Sequence, residues 1–199
     1  MSSAHNNNNN NTNGPKTSLA HQGDRDLGEA IATAKRLRDQ LVDSGRRIVF
    51  AESCTAGGIS ATLARLPGIS SSLCGGFVVY RNSSKEGWLN VPRALLNDAK
   101  QGPVSMAASQ ALAKSALDRT PEADCALAIT GDFGPGAPAK TDGHIFLFWV
   151  DRQDQTEEQM IRLSNPAPTS DEDIAARSRR LEEAICHALE FATAQAAIP

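Results

Sequence analysis

Short apolar runs alternate with segments of helical period along this chain, and that alternation constrains its fold more than any other feature. Arg47 to Glu52 (RIVFAE), Gly76 to Tyr80 (GFVVY), Cys125 to Thr130 (CALAIT) and His144 to Val150 (HIFLFWV) each read as a strand. RIVFAE is expected to be buried, and the almost wholly apolar HIFLFWV to be central. Around them, apolar residues recur at helical spacing. Leu27, Ile31, Ala34, Leu37, Leu41 and Val42 mark an amphipathic helix from Asp26 to Val42, ended by Ser44-Gly45. Helical character resumes at Thr55 (TAGGISATLARL) and stops at Pro67-Gly68. Asn82 is placed to cap a short helix carrying Lys85 and Trp88, and Pro92 to open another. Ser105 caps a longer helix to about Arg119, with Met106, Leu112, Ala113 and Leu117 available to pack inward. Gln155 to Leu163 reads as a more exposed partner strand after a turn at Asp151 to Asp154. A last helix, from about Asp171 to Ala192, carries Ile174, Leu181, Ile185 and Leu189.

Strands alternating with helices predict the α/β class. The expectation is a single layered domain with a mixed, mostly parallel sheet flanked by helices, and at least one antiparallel pair near the end. At 199 residues the chain fits one domain of ordinary size with a tail. The domain is expected over residues 26–199. Residues 1–25, with the asparagine run Asn6 to Asn11, have almost nothing to bury and are expected to be a disordered tail.

Composition narrows the function. A formal net charge of -3 argues against a nucleic-acid binder that works through bulk basic charge. It leaves an anionic small molecule open, because a site can be locally positive on an acidic protein. No apolar run approaches the ~20 residues that span a bilayer, and the N-terminus lacks the apolar stretch of a secretory signal. The cysteines (Cys54, Cys74, Cys125, Cys186) are scattered without a C-x-x-C pair, which favours reduced thiols and a cytoplasmic setting. His5, His21, His144 and His187 form no cluster at ligand spacing, so no metal is expected. Trp88 or the last helix would supply the interface of a homo-oligomer.

The most informative segment is AESCTAGG, residues 51–58, where an apolar strand runs straight into a helix. Ser53 sits at the junction, at the strand end where open α/β sheets bind ligands. A helix start offers backbone N–H groups and a positive dipole end to an oxyanion or a phosphate. Gly57 and Gly58 allow close approach of a ligand or of backbone. The same residues suit plain structure, with Ser53 or Thr55 as an N-cap and the glycines easing packing. Cys54 is a rival nucleophile where a thiol pKa tends to fall, although a small buried hydrophobe is its usual role. A serine needs a base, and a lysine held neutral by burial can serve. Lys85 and Tyr80 lie just beyond a strand end in GFVVYRNSSK, so a hydroxyl and an amine are available to converge on Ser53. Their ordinary reading is a solvated helix residue and a half-buried edge aromatic. The loop TGDFGPGAPAKTDG, residues 130–143, joins two apolar strands and is rich in glycine and proline, the character of a binding loop. It has neither a nucleotide P-loop nor a dinucleotide fingerprint. Lys140 is available to an anion there, or simply solvated.

Taken together, these segments resemble the C-terminal domain of the competence/damage-inducible CinA family. That family reads A-E-S-C-T-G-G, then G-F-V-x-Y-x-N-x-x-K, then G-A-V-S, then T-G-x-x-G-P. The matches are Ala51 to Gly57, Gly76 to Lys85, Gly102 to Ser105 and Thr130 to Pro135, within a likeness covering roughly residues 27 to 192. The resemblance implies an amidohydrolase that converts nicotinamide mononucleotide to its acid and ammonia, with no metal or other cofactor. It implies a serine nucleophile helped by a tyrosine and a lysine, roles that fall on Ser53, Tyr80 and Lys85. Thr55, Ala56, Gly57, Thr130, Gly131, Gly134 and Arg177 are then the expected substrate-binding positions, with Arg180 a second candidate beside Arg177. The chain departs from the family at Ala56, where a glycine is usual. It departs again in a shorter loop after Pro135, where K-T-D-G replaces K-P-V-G, and in the acids Asp132 and Asp142. Those departures keep two alternatives open: a nucleotide-binding member without useful turnover, and an amidase or esterase for another small substrate.

Overall fold

The apolar runs become the strands of one sheet. The computed structural model describes residues 18–197. Its five strands are β1 (Ile48–Glu52), β2 (Leu73–Val78), β3 (Cys125–Gly131), β4 (His144–Asp151) and β5 (Thr156–Arg162). They lie in the order β2-β1-β3-β4-β5. β1 pairs in parallel with β2 and β3, whereas the β3–β4 and β4–β5 pairs are antiparallel. β4 alone therefore runs against the other strands, the mixed α/β sheet that was expected. β3 occupies the centre, and β4 is its interior neighbour. Apolar residues on both faces distinguish a covered strand from an edge strand, but not the centre from the place beside it.

Both faces are covered. On one side lie α1 (Ser18–Ser44), α2 (Gly58–Ala64) and α6 (Ile174–Ala196). Leu37, Leu41, Ile59, Leu63 and Leu189 from these helices pack with Ile48, Phe50, Leu127, Ile145 and Leu147 of the sheet. On the other side α3 (Asn82–Leu89), α4 (Arg93–Leu96) and α5 (Met106–Asp118) bring Leu89, Leu96, Leu112 and Leu117 against Val49, Ala51, Ala126 and Phe148. Alternate residues of β1 thus enter different cores, which is why RIVFAE shows no alternation. Each large side chain fully withdrawn from water contributes about 1.5–3 kcal/mol. β5 is almost entirely exposed, as its polar sequence requires.

Several boundaries differ from those read in the sequence. α1 begins at Ser18, earlier than Asp26, while the asparagine run lies outside the described residues. β2 occupies Leu73–Val78 and not Gly76–Tyr80, because the Ile48 N–H already donates to Ser72 O at 2.8 Å. Gly76 is required there by packing: a Cβ would stand 2.6 Å from Ser60 Oγ of α2. Asn82 is the first residue of α3, and Ser84 Oγ accepts from the Arg81 N–H in its place as cap. Ser105 caps α5 as expected, accepting from the Ala108 N–H at 3.2 Å. Among the described residues no helix is long and apolar enough to cross a membrane.

The topology also locates a site. The chain leaves β1 toward β2 on one side and returns to β3 on the other. The crevice beyond the carboxyl ends of β1 and β3 is a topological switch point, the usual ligand position in such sheets.

Candidate active site

β1 ends on Glu52, a carboxylate only 1% exposed. It accepts four hydrogen bonds: from Thr55 Oγ1 (2.8 Å), the Ile59 N–H (3.0 Å), the Ser60 N–H (2.9 Å) and Ser60 Oγ (2.6 Å). The donors at the start of α2 therefore go to Glu52. This corrects the expectation of an open helix start, because the positive end of α2 already faces a negative side chain. Neither Ser53 nor Thr55 caps the helix. The Thr55 hydroxyl is committed to Glu52 and buried.

With the turn fixed in this way, Ser53 is presented at the switch point. Its N–H donates to Ile129 O at 3.1 Å, extending the β1–β3 ladder, and its carbonyl accepts from the Ala56 N–H at 3.2 Å. Among the described residues its hydroxyl has no hydrogen-bond partner. Ala56 is exposed with φ +51°, so its methyl lies outside the cleft and in the left-handed region that favours glycine. Gly57 supports the same turn at φ +95°, where a Cβ would press on Val78 Cγ2 at 3.2 Å. Thr55, Ala56 and Gly57 shape the turn and do not line the cleft.

Lys85 projects from α3 and is 3% exposed. Among the described residues Nζ has no hydrogen-bond partner. Burial pushes its amine below the usual lysine range, with the Cys54 thiol a weaker opposing influence. The solvated-residue reading of Lys85 is therefore wrong. Tyr80 is 53% exposed at the cleft mouth, and its Oη accepts from Arg177 Nη2 at 2.8 Å. Cys54 lines the same cleft, but burial pushes its thiol up to about 12, so it stays protonated and weakly nucleophilic.

The β3–β4 loop and α6 close the other wall. Gly131 lines the cleft where a Cβ would meet Cys54 Sγ at 3.0 Å and His144 O at 2.9 Å. Thr130 does not line it. Its side chain is fully buried, and its Oγ1 lies 3.3 Å from Ser109 Oγ of α5. Gly134 enters indirectly, its carbonyl accepting from Arg177 Nη1. Arg177 also lies over the Phe133 ring, 6.0 Å from its centroid. Arg180, one turn later, is 5% exposed and bound to Asp142 (Nη1 to Oδ1, 2.6 Å) and Asn165 O (3.1 Å). Arg180 therefore holds the loop, and the Asp142 charge is matched. Lys140 Nζ donates to Ala99 O at 2.9 Å, pinning the loop to the segment before α5.

The cleft has a volume of about 220 Å³. It brings together Ser53, Tyr80, Lys85, Gly131 and Arg177 from the expected positions. Reading the sequence passed over Glu52 altogether and took Asn82 only as a cap, yet Asn82 lines the cleft with Pro103, Val104, Asp132 and Phe133. A charge ending an apolar strand was the signal for Glu52. A larger hollow of about 530 Å³, at Arg46, Asp124, Asp151, Gln153 and Gln155, pairs no nucleophile with a base.

The chain is similar in sequence and fold to known proteins. A CinA-like protein of Syntrophotalea carbinolica is 43% identical over 109 residues, 54% of this chain and 26% of that protein. A nicotinamide-nucleotide amidohydrolase PncC of Pseudomonas putida is 37% identical over 120 residues, 59% of this chain and 73% of the relative. The chain thus spans about a quarter of the CinA-like relative's length and most of the amidohydrolase's. Among solved structures, the competence/damage-inducible protein CihA of Agrobacterium tumefaciens has a TM-score of 0.72 at 28% identity, covering 82% of this chain and 93% of its own. The sequence profile of the CinA C-terminal domain matches residues 30–187, from α1 into α6 and across every segment that builds the cleft. The chain belongs to the CinA C-terminal domain family.

Proposed function

We propose that this protein hydrolyses the carboxamide of a nicotinamide mononucleotide, giving the carboxylic acid and ammonia, with Ser53 as nucleophile. The observation that carries the reading is the meeting of Ser53 with a buried amine, Lys85, whose Nζ is unengaged among the described residues. The likeness to a protein named for nicotinamide-nucleotide amide hydrolysis supports the substrate.

In this reading Ser53 Oγ attacks the amide carbon while Lys85 Nζ accepts the hydroxyl proton, which its lowered pKa favours. The tetrahedral intermediate collapses as the nitrogen is protonated, from Lys85 directly or through the Tyr80 hydroxyl, and ammonia leaves. Tyr80 suits the relay because Arg177 donates to its oxygen, leaving the phenol proton for another acceptor. Water then attacks the acyl-serine ester, gives its proton to Lys85, and releases the acid and Ser53. The cleft is smaller than the ~300–1,000 Å³ typical of pockets that enclose a whole ligand. It is sized for the carboxamide-bearing ring, with the ribose and phosphate at the rim beside Arg177. Ala56 and the altered loop favour a binding-only member of the family; the exposure of Ala56, away from the residues that line the cleft, speaks against the first of these as an obstacle to turnover.

The test is ammonia release from nicotinamide mononucleotide by the purified protein and its Ser53→Ala variant. Turnover is expected, with a loss of about 10³-fold or more in the variant. A folded wild-type protein that releases no ammonia refutes the reading, and an active Ser53→Ala variant refutes the nucleophile.

A further inference from the structure

The cleft holds one charge that the proposed chemistry leaves unused. Asp132 directly follows β3 and lines the cleft on the same wall as α6. Its carboxylate accepts from the Gly134 N–H and from Thr141 Oγ1, both at 3.4 Å, the long end of hydrogen bonding. Among the described residues it has no ion-pair partner. Asp142, close by on the same loop, behaves differently and takes the Arg180 guanidinium at 2.6 Å. One loop acid is therefore neutralised in the framework, and the other, without an ion pair among the described residues, lines the cleft.

The two cationic side chains that line the cleft with Asp132 have other roles. Arg177 directs its two terminal nitrogens at Gly134 O and Tyr80 Oη, and not at the Asp132 carboxylate. Lys85 is the general base of the proposed reaction and works as a neutral amine. The cleft is thus lined by charges of both signs, the Asp132 carboxylate just after β3 and the Arg177 guanidinium on α6. Nicotinamide mononucleotide has matching polarity, since its quaternised pyridine ring is permanently positive and its phosphate is negative. A neutral pyridine amide shares the ring and the carboxamide with it but carries neither charge.

We infer that Asp132 is a specificity-determining residue, its carboxylate selecting pyridine carboxamides whose ring carries a fixed positive charge. The inference rests on the deamidase reading and adds the substrate class that the site prefers. Opposite unit charges a few ångströms apart, at the intermediate dielectric of a partly open cleft, favour the cationic ring by about tenfold.

The test separates ring charge from every other feature of the ligand. Nicotinamide mononucleotide and its 1,4-dihydro form share ribose, phosphate and carboxamide, but only the oxidised ring is cationic. Dissociation constants for both are measured by calorimetry on the full chain carrying Ser53→Ala, with and without Asp132→Asn or Asp132→Glu, and melting temperatures verify folding. Asp132→Asn is expected to weaken the oxidised ligand about tenfold and to change the dihydro ligand by less than about twofold. Asp132→Glu is expected to keep most of the preference, since it keeps the charge. Equal effects of Asp132→Asn on both ligands, or no effect on either, overturn the inference. If the wild-type protein still releases ammonia in that case, the deamidase reading stands without it. If the wild-type protein neither binds nor turns over nicotinamide mononucleotide, both fall.

Discussion

Replacing Lys85 by methionine is predicted to abolish amide hydrolysis and at the same time to stabilise the protein. Lys85 is 3% exposed, and among the described residues nothing hydrogen-bonds its Nζ. The amine reaches the open cleft, so water solvates it in part, and its remaining desolvation without a protein partner costs about 1–2 kcal/mol. Methionine has similar length and no polar head, so Lys85→Met is expected to recover about 1–2 kcal/mol. In a domain of this size that corresponds to a rise of about 3–6 °C in melting temperature. The gain must also depend on pH in one direction. The folded-state pKa of Lys85 lies below its unfolded value of ~10.4, so between the two the unfolded chain binds more protons. Wild-type stability therefore falls as pH falls from ~10.4 toward the folded pKa, below which the penalty is complete. Lys85→Met has no such penalty, so its advantage is largest at low pH and shrinks as pH rises toward 10. Calorimetric melting of both proteins from about pH 6 to pH 10, alongside ammonia release, measures this. A variant less stable than wild type, or an advantage that does not change with pH, refutes the claim of an unpaired, desolvated amine.

Other substitutions probe the turn around the nucleophile. Ala56→Gly relieves a left-handed alanine and is expected to add about 0.5–1 kcal/mol in chemical denaturation, after allowing for the extra freedom of glycine in the unfolded chain. Glu52→Ala leaves two backbone N–H groups and two hydroxyls without their acceptor. It is expected to cost about 3 kcal/mol or more by denaturant midpoint, and to reduce ammonia release by misplacing Ser53. Cys54→Ala is expected to retain activity within about tenfold of wild type, because a thiol pushed up to about 12 is not the nucleophile. Loss of activity on the scale of Ser53→Ala would reverse that assignment.

How much of this was legible in the sequence follows from which features are local. The apolar runs and the break between Glu52 and Gly58 locate β1 and the turn, because burial and turn chemistry act over a few residues. Lys85 was harder. A lysine four residues from an exposed arginine looks solvated, and only the fold, which sets it beside Ser53 and Cys54, withdraws it from water. Thr130 and Gly131 were both assigned to the substrate, yet successive residues of a strand point to opposite faces. Thr130 faces α5 and Gly131 the cleft, an exclusion that the strand period already contains. Arg177 and Arg180 could not be separated from sequence. They lie one helical turn apart, and the difference between them comes from Asp142, thirty-eight positions before Arg180 and brought there only by the loop. Asp132 and Asp142 were counted together as unfavourable charge for the same reason. Sequence gives the sign of a charge but not its partner.

The double use of α6 bears on how the protein comes into being. The proposed nucleophile, base and tyrosine have all been synthesised once the chain has passed Lys85, but Arg177 and the loop-holding Arg180 belong to α6. That helix also packs along α1 and shares the core of the first strand. A nascent chain therefore emerges from the ribosome with its reactive groups already made and its binding wall missing. At about 5–20 residues per second, α6 follows the β4–β5 hairpin within seconds. The proposed chemistry is thus expected to be withheld from incomplete chains, and to arrive together with the step that closes the first core.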